Sequence, residues 1–193
     1  MYPNQLIKDL AKVRQKKGSP YIWEPFMRKY DCQIVCEVGV QRGVNFANII
    51  KHNPKLAVAV DCWIDDGVAS RNDGRFSQKV FDEQYEDFRK SVDGKPFVKI
   101  YRGYSFDAVK SFEDGYFDVV YIDADHSFES CLRDIEDWYP KVKKGRFLLG
   151  DDYRVSRYTR TSFGVIQAVS EFTKKNNLKS FELPRYGWAI IKK

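Results

Sequence analysis

The chain has no apolar run long enough to cross a membrane, and its first residues lack the hydrophobic core of a signal peptide. It also has no internal repeat, and no stretch rich in proline, glycine or serine divides its 193 residues. That length suits one domain with a full-sized core. We therefore expect a single cytoplasmic domain, residues 1–193, without a membrane span.

Cysteine is scarce, and the four that are present form no CxxC pair and have no histidine pair nearby. Cys32, Cys36, Cys62 and Cys131 lie in or beside predicted strands and helices. The pattern excludes a disulfide framework and favours buried free thiols. A metal shared by Cys32 and Cys36 is the weaker alternative.

The charge is moderately basic, with a formal net charge of +6. Basic residues gather at Lys141–Lys144, Arg154–Arg160 and Lys192–Lys193. They fit solvated surfaces, contacts with an anionic substrate, or a nucleic-acid-binding module. The stretch Arg154–Arg160 directly follows a pair of acids, so we expect it to border the functional site.

Strand and helix patterns alternate along most of the chain. This order predicts a doubly wound, Rossmann-like α/β fold with a seven-stranded, mostly parallel sheet and an antiparallel C-terminal hairpin. The predicted strands are 33–38, 56–60, 97–101, 117–122, 146–149, 179–183 and 187–191, and the predicted helices are 4–16, 43–52, a charged helix ending near 91, 105–112, 127–138 and 161–175.

Acidic residues follow two of the most apolar predicted strands. Asp123 and Asp125 come directly after the strand at 117–122, and Asp151 and Asp152 come after the strand at 146–149. The carboxyl ends of parallel strands are where α/β proteins bind ligands. Four carboxylates at one edge repel one another unless a cation or shared protons hold them, so a divalent metal is the simplest explanation.

The loop after the first strand has the form acid-x-Gly-x-x-x-Gly, with Glu37, Gly39 and Gly43. We expect Gly39 to let the backbone turn tightly near a ligand, and Gly43 to let a helix pack near the strand. The spacing is not the GxGxxG of dinucleotide binding, which disfavours a pyrophosphate. Asp61 ends the second strand, where a carboxylate can accept both hydroxyls of a ribose. Together these residues predict a nucleoside pocket without a phosphate cradle.

With these motifs the chain resembles class I S-adenosylmethionine-dependent methyltransferases over nearly its whole length. The closer resemblance is to metal-dependent, macrocin-type sugar O-methyltransferases, through the segments 123–129, 150–153 and 164–172. It implies S-adenosylmethionine as cofactor, with contacts from Glu37, Gly39, Gly43, Asp61, Ser105 and Asp123. It also implies a metal held by Asp123, Asp151 and Asp152. Oxygen ligands favour Mg²⁺, with Mn²⁺ or Ca²⁺ as alternatives, and do not favour zinc.

The general base has two candidates. Asp125 is the first choice because the metal would hold the acceptor within its reach, and His126 is the second because its pKa suits proton transfer. Each also has a structural interpretation, since Asp125 or Ser127 could cap the next helix and His126 could bond to a loop carbonyl.

Trp63 has two equal interpretations, stacking on adenine or filling the edge of the core.

The resemblance implies an acceptor that is a small molecule or glycan carrying a sugar hydroxyl. A catechol-like or other vicinal diol is the alternative, because a metal chelates either. We expect no nucleic-acid partner, since an acidic rim repels phosphates. Residues 1–30 are expected to form a helical lid or a homodimer surface, and residues 31–193 the cofactor-binding core.

Overall fold

The structure is a computed structural model, and it describes residues 4–10, 12–13, 23–65, 77–154, 164–183 and 186–193. Several sequence predictions fall partly outside these ranges. They are the end of the first predicted helix, most of the loop after Trp63, the basic stretch beyond Arg154, the start of the helix predicted at 161, and the turn at 184–185.

The described residues form one seven-stranded sheet. Its strands are β1 (Ile34–Val38), β2 (Leu56–Asp61), β3 (Val98–Arg102), β4 (Phe117–Ile122), β5 (Val142–Gly150), β6 (Ser180–Leu183) and β7 (Gly187–Ile191). The strand order is β3-β2-β1-β4-β5-β7-β6. The pairs from β3 to β5 are parallel, and β7 is antiparallel to both β5 and β6. The predicted fold class is therefore confirmed.

Seven α-helices accompany the sheet in the described part of the chain. They are α1 (Asn4–Leu10), α2 (Glu24–Lys29), α3 (Val44–Ile49), α4 (Gln78–Ser91), α5 (Ser105–Ala108), α6 (Phe128–Trp138) and α7 (Val165–Lys175). None of these helices is long and apolar enough to cross a membrane. The short helix α2 was not predicted, because its six residues include a proline and lie within an aromatic-rich segment.

A hydrophobic core lies on each face of the sheet. Strand β4 is buried at every position, and its side chains alternate between the two cores. Val119 and Tyr121 belong to one core, while Val120 and Ile122 belong to the other. Apart from the buried Asp118 near its start, this strand carries apolar side chains on both faces until it ends, and the acids of the candidate site begin immediately after Ile122.

The N-terminal residues described here pack against the first of these cores. Leu10, Trp23 and Met27 are fully buried, and Leu6 and Phe26 are nearly so. This segment was expected to act as a lid or a dimer surface. Its described apolar side chains are part of the core that also contains Val119 and Tyr121, and the role as a lid or dimer surface stays a prediction.

The chain reverses direction across the sheet between β1 and β4. From β1 it proceeds to β2 and β3 on one side, and it returns to β4 on the other. Ligand crevices in such sheets form at the carboxyl ends of the strands at this point. Three backbone hydrogen bonds hold the loops together there: Gly39 N–H to Val60 O, Asp123 N–H to Val38 O, and Asp151 N–H to Ile122 O.

Candidate active site

Gly39 allows the loops after β1 and β4 to touch. Its φ is +88°, and a Cβ atom on it would lie 2.1 Å from the carbonyl oxygen of Asp123. In the direction of a Cβ atom the structure places the backbone of Asp123 and Ala124, and the ligand contact expected of Gly39 from the sequence stays a prediction. Gly43 has φ +77°, and a Cβ atom on it would clash with the ring of Phe88 in α4. The close neighbour of Gly43 is thus Phe88, whereas the sequence predicted close packing of its helix on the strand.

Asp61 organises the same loop from the end of β2. Its Oδ2 accepts the backbone N–H groups of Val40 and Gln41 at 2.8 Å, and its Oδ1 accepts that of Trp63 at 2.9 Å. A carboxylate has about four acceptor positions, so about one remains for an external hydroxyl in this conformation. Asp61 therefore lies where a ribose contact was predicted, but the loop already uses most of its hydrogen-bond acceptor positions.

Glu37 is a buried acid at the carboxyl end of β1, with only 1% of its surface exposed. Its Oε1 accepts a hydrogen bond from Asn45 Nδ2 at 2.9 Å, and its Oε2 is buried without a hydrogen-bond partner. Burial raises the pKa of Glu37 well above its usual value, against the effect of Asn45. The negative charges of Asp123 and Asp61 act in the same direction as burial.

Asp123, His126 and Asp152 come together at the edge of the sheet. Each offers one ligand atom, and these atoms lie within 4.8 Å of one another. His126 Nε2 is 3.2 Å from Asp123 Oδ1 and 3.4 Å from Asp152 Oδ2. All three side chains are partly exposed, so the cluster is open to a ligand. Its two carboxylates suit a divalent cation such as Mg²⁺ or Mn²⁺, and the imidazole lies beside them as either a third ligand or a base.

The cluster differs in one member from the predicted metal site. Asp123 and Asp152 are in both sets, but the structure adds His126 where the prediction has Asp151. Asp151 is half-buried beside the cluster, and its Oδ1 accepts the backbone N–H of Asp152 at 2.9 Å. Arg154 pairs with the other oxygen of Asp152, Oδ1, at 2.8 Å.

The two candidate bases have different surroundings. Asp125 is exposed, and its carboxylate accepts the backbone N–H of Ser127 at 2.9 Å and the Ser127 hydroxyl at 3.1 Å. Ser127 in turn caps α6 by accepting the backbone N–H of Ser130. The sequence left open a structural role for Asp125 and Ser127 at the start of α6, and these contacts give them that role. Of the two candidate bases, His126 is therefore the one that lies against Asp123 and Asp152.

The environment of His126 favours its protonated form. Burial acts to lower its pKa, but the hydrogen bond with Asp123 and the charge of Asp152 outweigh that effect. The pKa of His126 is therefore raised above its usual value. When His126 is neutral, the two carboxylates orient its imidazole and would stabilise the imidazolium that forms once it accepts a proton.

Ser105, the predicted adenine contact, begins α5. Its hydroxyl donates to Asp134 Oδ1 in α6 at 2.5 Å, so it is engaged within the protein. Burial raises the pKa of Asp134 to about 6, with the Ser105 hydrogen bond acting in the opposite direction. Sequence reasoning missed Asp134, although an acid on the apolar face of a helix, between Cys131 and Trp138, is a recognisable signal.

Trp63 fills the core and does not offer a free face for adenine. It is fully buried, with its ring stacked on Phe88 at 5.7 Å and tilted against Tyr85 at 5.1 Å. Its Nε1 donates to the carbonyl oxygen of Gln41 at 2.9 Å. Of the cysteines, Cys32, Cys36 and Cys131 are buried free thiols as predicted, while Cys62 is partly exposed.

Comparison with known proteins connects this site to a family. A family model described as a methyltransferase domain matches residues 36–153, which contain the glycine loop and all members of the acidic cluster. No curated protein matches the sequence significantly.

Solved structures share the fold at low sequence identity. A candidate caffeoyl-CoA O-methyltransferase from Staphylococcus aureus is 12% identical with a TM-score of 0.65, and the match covers 97% of this chain and 91% of that one. An O-methyltransferase from Bacillus cereus, in complex with SAH, is 13% identical with a TM-score of 0.63, over 100% and 93% of the two chains. A spermidine synthase from Thermotoga maritima is 14% identical with a TM-score of 0.55, over 95% and 57%. Since the synthase has the same fold, the fold alone does not identify the reaction.

Proposed function

The chain belongs to the methyltransferase domain family, and we propose that it transfers the methyl group of S-adenosylmethionine to a sugar hydroxyl with the help of a divalent cation. The observation that supports this most strongly is the convergence of Asp123, His126 and Asp152 within 4.8 Å. Their cluster lies directly beside the glycine loop, because Gly39 touches the backbone of Asp123. A donor bound at that loop would have its methyl group close to an acceptor bound at the cluster.

The donor side of the site is assigned to the loops after β1 and β2. In the proposal Glu37 and Asp61 provide acceptor oxygens for the cofactor, and Gly39 and Gly43 give the loop its left-handed turns. Asp61 fixes the loop through its backbone hydrogen bonds and keeps about one acceptor position for a ribose hydroxyl. The hydroxyl of Ser105 is bonded to Asp134, so in the proposal Ser105 contributes by positioning the start of α5 beside the cofactor.

The acceptor side is assigned to the cluster. Asp123 and Asp152 would hold Mg²⁺ or Mn²⁺, with Asp151 next to them. A bound divalent cation lowers the pKa of a hydroxyl and orients neighbouring oxygens. His126 would accept the hydroxyl proton, because Asp125 is directed into the turn before α6.

The rim supports a polyhydroxylated acceptor. Arg154 is exposed next to the cluster, and a guanidinium carries five N–H donors that suit hydroxyl oxygens. Sugar hydroxyls are weak acids, so their methylation benefits from both a cation and a base. We extend the proposal to the whole chain, with residues 1–193 as one domain and 31–193 as its cofactor-binding core.

Methyl transfer from labelled S-adenosylmethionine tests the proposal. Acceptors carrying rhamnose or a hexose should be methylated in the presence of Mg²⁺ or Mn²⁺, and a catechol should not. Treatment with EDTA should abolish transfer, and the metals should restore it. Normal turnover by the metal-free protein would exclude the cation, and methylation of the catechol alone would exclude the sugar.

A variant of the cluster separates cation binding from cofactor binding. Asp152→Ala should bind S-adenosylhomocysteine with the wild-type affinity in calorimetry but lose methyl transfer. Loss of both would assign Asp152 to the cofactor site.

A further inference from the structure

Two hydrogen bonds in series connect the N-terminal part of the protein to the proposed cofactor site. Trp23 Nε1 donates to Asn45 Oδ1 at 2.9 Å, and Asn45 Nδ2 donates to Glu37 Oε1 at 2.9 Å. Trp23 lies at the start of α2, Asn45 in the first turn of α3, and Glu37 in β1. The chain of contacts therefore joins three elements that are separate in the sequence.

The direction of these hydrogen bonds is determined by the indole. An indole N–H can only donate, whereas an amide can present either its oxygen or its NH₂ group to a neighbour. The Trp23 N–H therefore requires the oxygen of Asn45, which turns the NH₂ group of Asn45 towards Glu37. Without the indole N–H, Asn45 could rotate and place its oxygen against the Glu37 carboxylate, where two acceptors repel.

Glu37 has one oxygen left for a ligand. Its Oε2 is buried without a partner, and a buried polar atom in that state carries a cost that a ligand donor would remove. The fixed NH₂ group of Asn45 occupies Oε1, so Oε2 is the oxygen of Glu37 that lacks a partner. The packing of Trp23 supports this arrangement, since its ring is fully buried and meets Tyr121 edge to face at 5.5 Å.

We infer that Trp23 and Asn45 are positioning residues of the S-adenosylmethionine site, which hold the Glu37 carboxylate so that Oε2 faces a hydrogen-bond donor of the cofactor. The inference rests on the proposed function. It implies that Trp23, in the segment before β1, affects the affinity for the cofactor. Glu37 touches the cofactor in this scheme, while Trp23 and Asn45 act through it.

A pair of tryptophan variants tests the role of the indole N–H. Trp23→Phe removes the donor but keeps an aromatic ring. The matched control is Trp138→Phe, because Trp138 is also fully buried and its Nε1 has no hydrogen-bond partner. Trp23→Phe should weaken S-adenosylhomocysteine binding by about threefold to tenfold in calorimetry, and Trp138→Phe should leave it unchanged. In steady-state assays Trp23→Phe should raise KM for S-adenosylmethionine with little change in kcat.

A double-mutant cycle shows whether Trp23 acts through Glu37. In the Glu37→Gln background, Trp23→Phe should have a much smaller effect on affinity than in the wild type. Asn45→Ala should weaken binding at least as much as Trp23→Phe. Thermal unfolding of each variant establishes that the folded protein is being compared.

The outcomes distinguish this inference from the proposed function. Equal affinities for Trp23→Phe and Trp138→Phe, or an undiminished Trp23→Phe effect in the Glu37→Gln background, would overturn the positioning role alone. Failure of the wild-type protein to bind S-adenosylhomocysteine or S-adenosylmethionine would overturn the proposed function, and the inference with it.

Discussion

Gly39 and Asp123 are in direct backbone contact across the crevice between β1 and β4. A Cβ atom on Gly39 would lie 2.1 Å from the carbonyl oxygen of Asp123 and 2.6 Å from the Cα of Ala124. Backbone atoms cannot move aside as a flexible side chain can. The glycine therefore determines how near the proposed donor loop lies to the proposed acceptor cluster.

Gly39→Ala should accordingly affect both folding and the site. The substitution introduces a clash and a side chain at φ +88°, so the free energy of unfolding should fall by about 3 kcal/mol or more. Gly115→Ala is the control, because Gly115 has φ +69° but open space where a Cβ would be placed. Urea unfolding should show a loss of only about 1 kcal/mol for the control. Equal losses would mean that the contact with Asp123 is unimportant.

The identity of the cation ligands can be tested by two neighbouring substitutions. Asp152→Asn should weaken Mn²⁺ binding by at least about tenfold, since Asp152 belongs to the cluster. Asp151→Asn should have a smaller effect, since Asp151 accepts the backbone N–H of Asp152. Calorimetric titration with Mn²⁺ measures both, and a larger loss for Asp151→Asn would favour the ligand set predicted from the sequence.

His126 and Asp125 should respond differently to removal. His126→Ala should lower kcat by about 100-fold while Mn²⁺ still binds, because the proposed role of His126 is that of a base. Asp125→Ala should keep most of the activity and lose some stability, since it removes the contacts with Ser127. If His126→Ala abolished Mn²⁺ binding, the imidazole would be a ligand instead.

Asp134 should make stability depend on pH. The folded state raises its pKa from 3.8 to about 6, so the folded protein binds a proton more tightly than the unfolded chain. The free energy of unfolding should therefore fall as pH rises from about 4 to about 6, and change little from this source above that range.

Asp134→Asn should remove this contribution. Between pH 4 and pH 7 its stability relative to the wild type should rise by on the order of 2 kcal/mol, measured by urea unfolding. Glu129→Gln removes an exposed charge from the same helix and serves as the control. A parallel pH dependence for wild type and Asp134→Asn would assign the titration to another group.

Some features of the site were not accessible from the sequence. The pattern identified Asp123 and Asp152 because both follow apolar strands, and neighbouring strands end at one edge. It did not identify the position of His126 relative to Asp151, which depends on how the backbone leaves each strand. Asp152 has φ +55°, and that local turn separates the direction of its side chain from that of Asp151.

The sequence by itself determined the sheet and the edge at which the chemistry lies. Runs such as Val119–Ile122 are apolar throughout, and such a strand is stable only when it is covered on both faces. Tertiary structure decided which polar groups meet: His126 with Asp152, Ser105 with Asp134, and Trp23 with Asn45. The reason is physical, since hydrophobic burial follows a short-range periodicity along the chain, whereas a hydrogen bond between distant residues requires a distance and an angle that only the folded backbone sets.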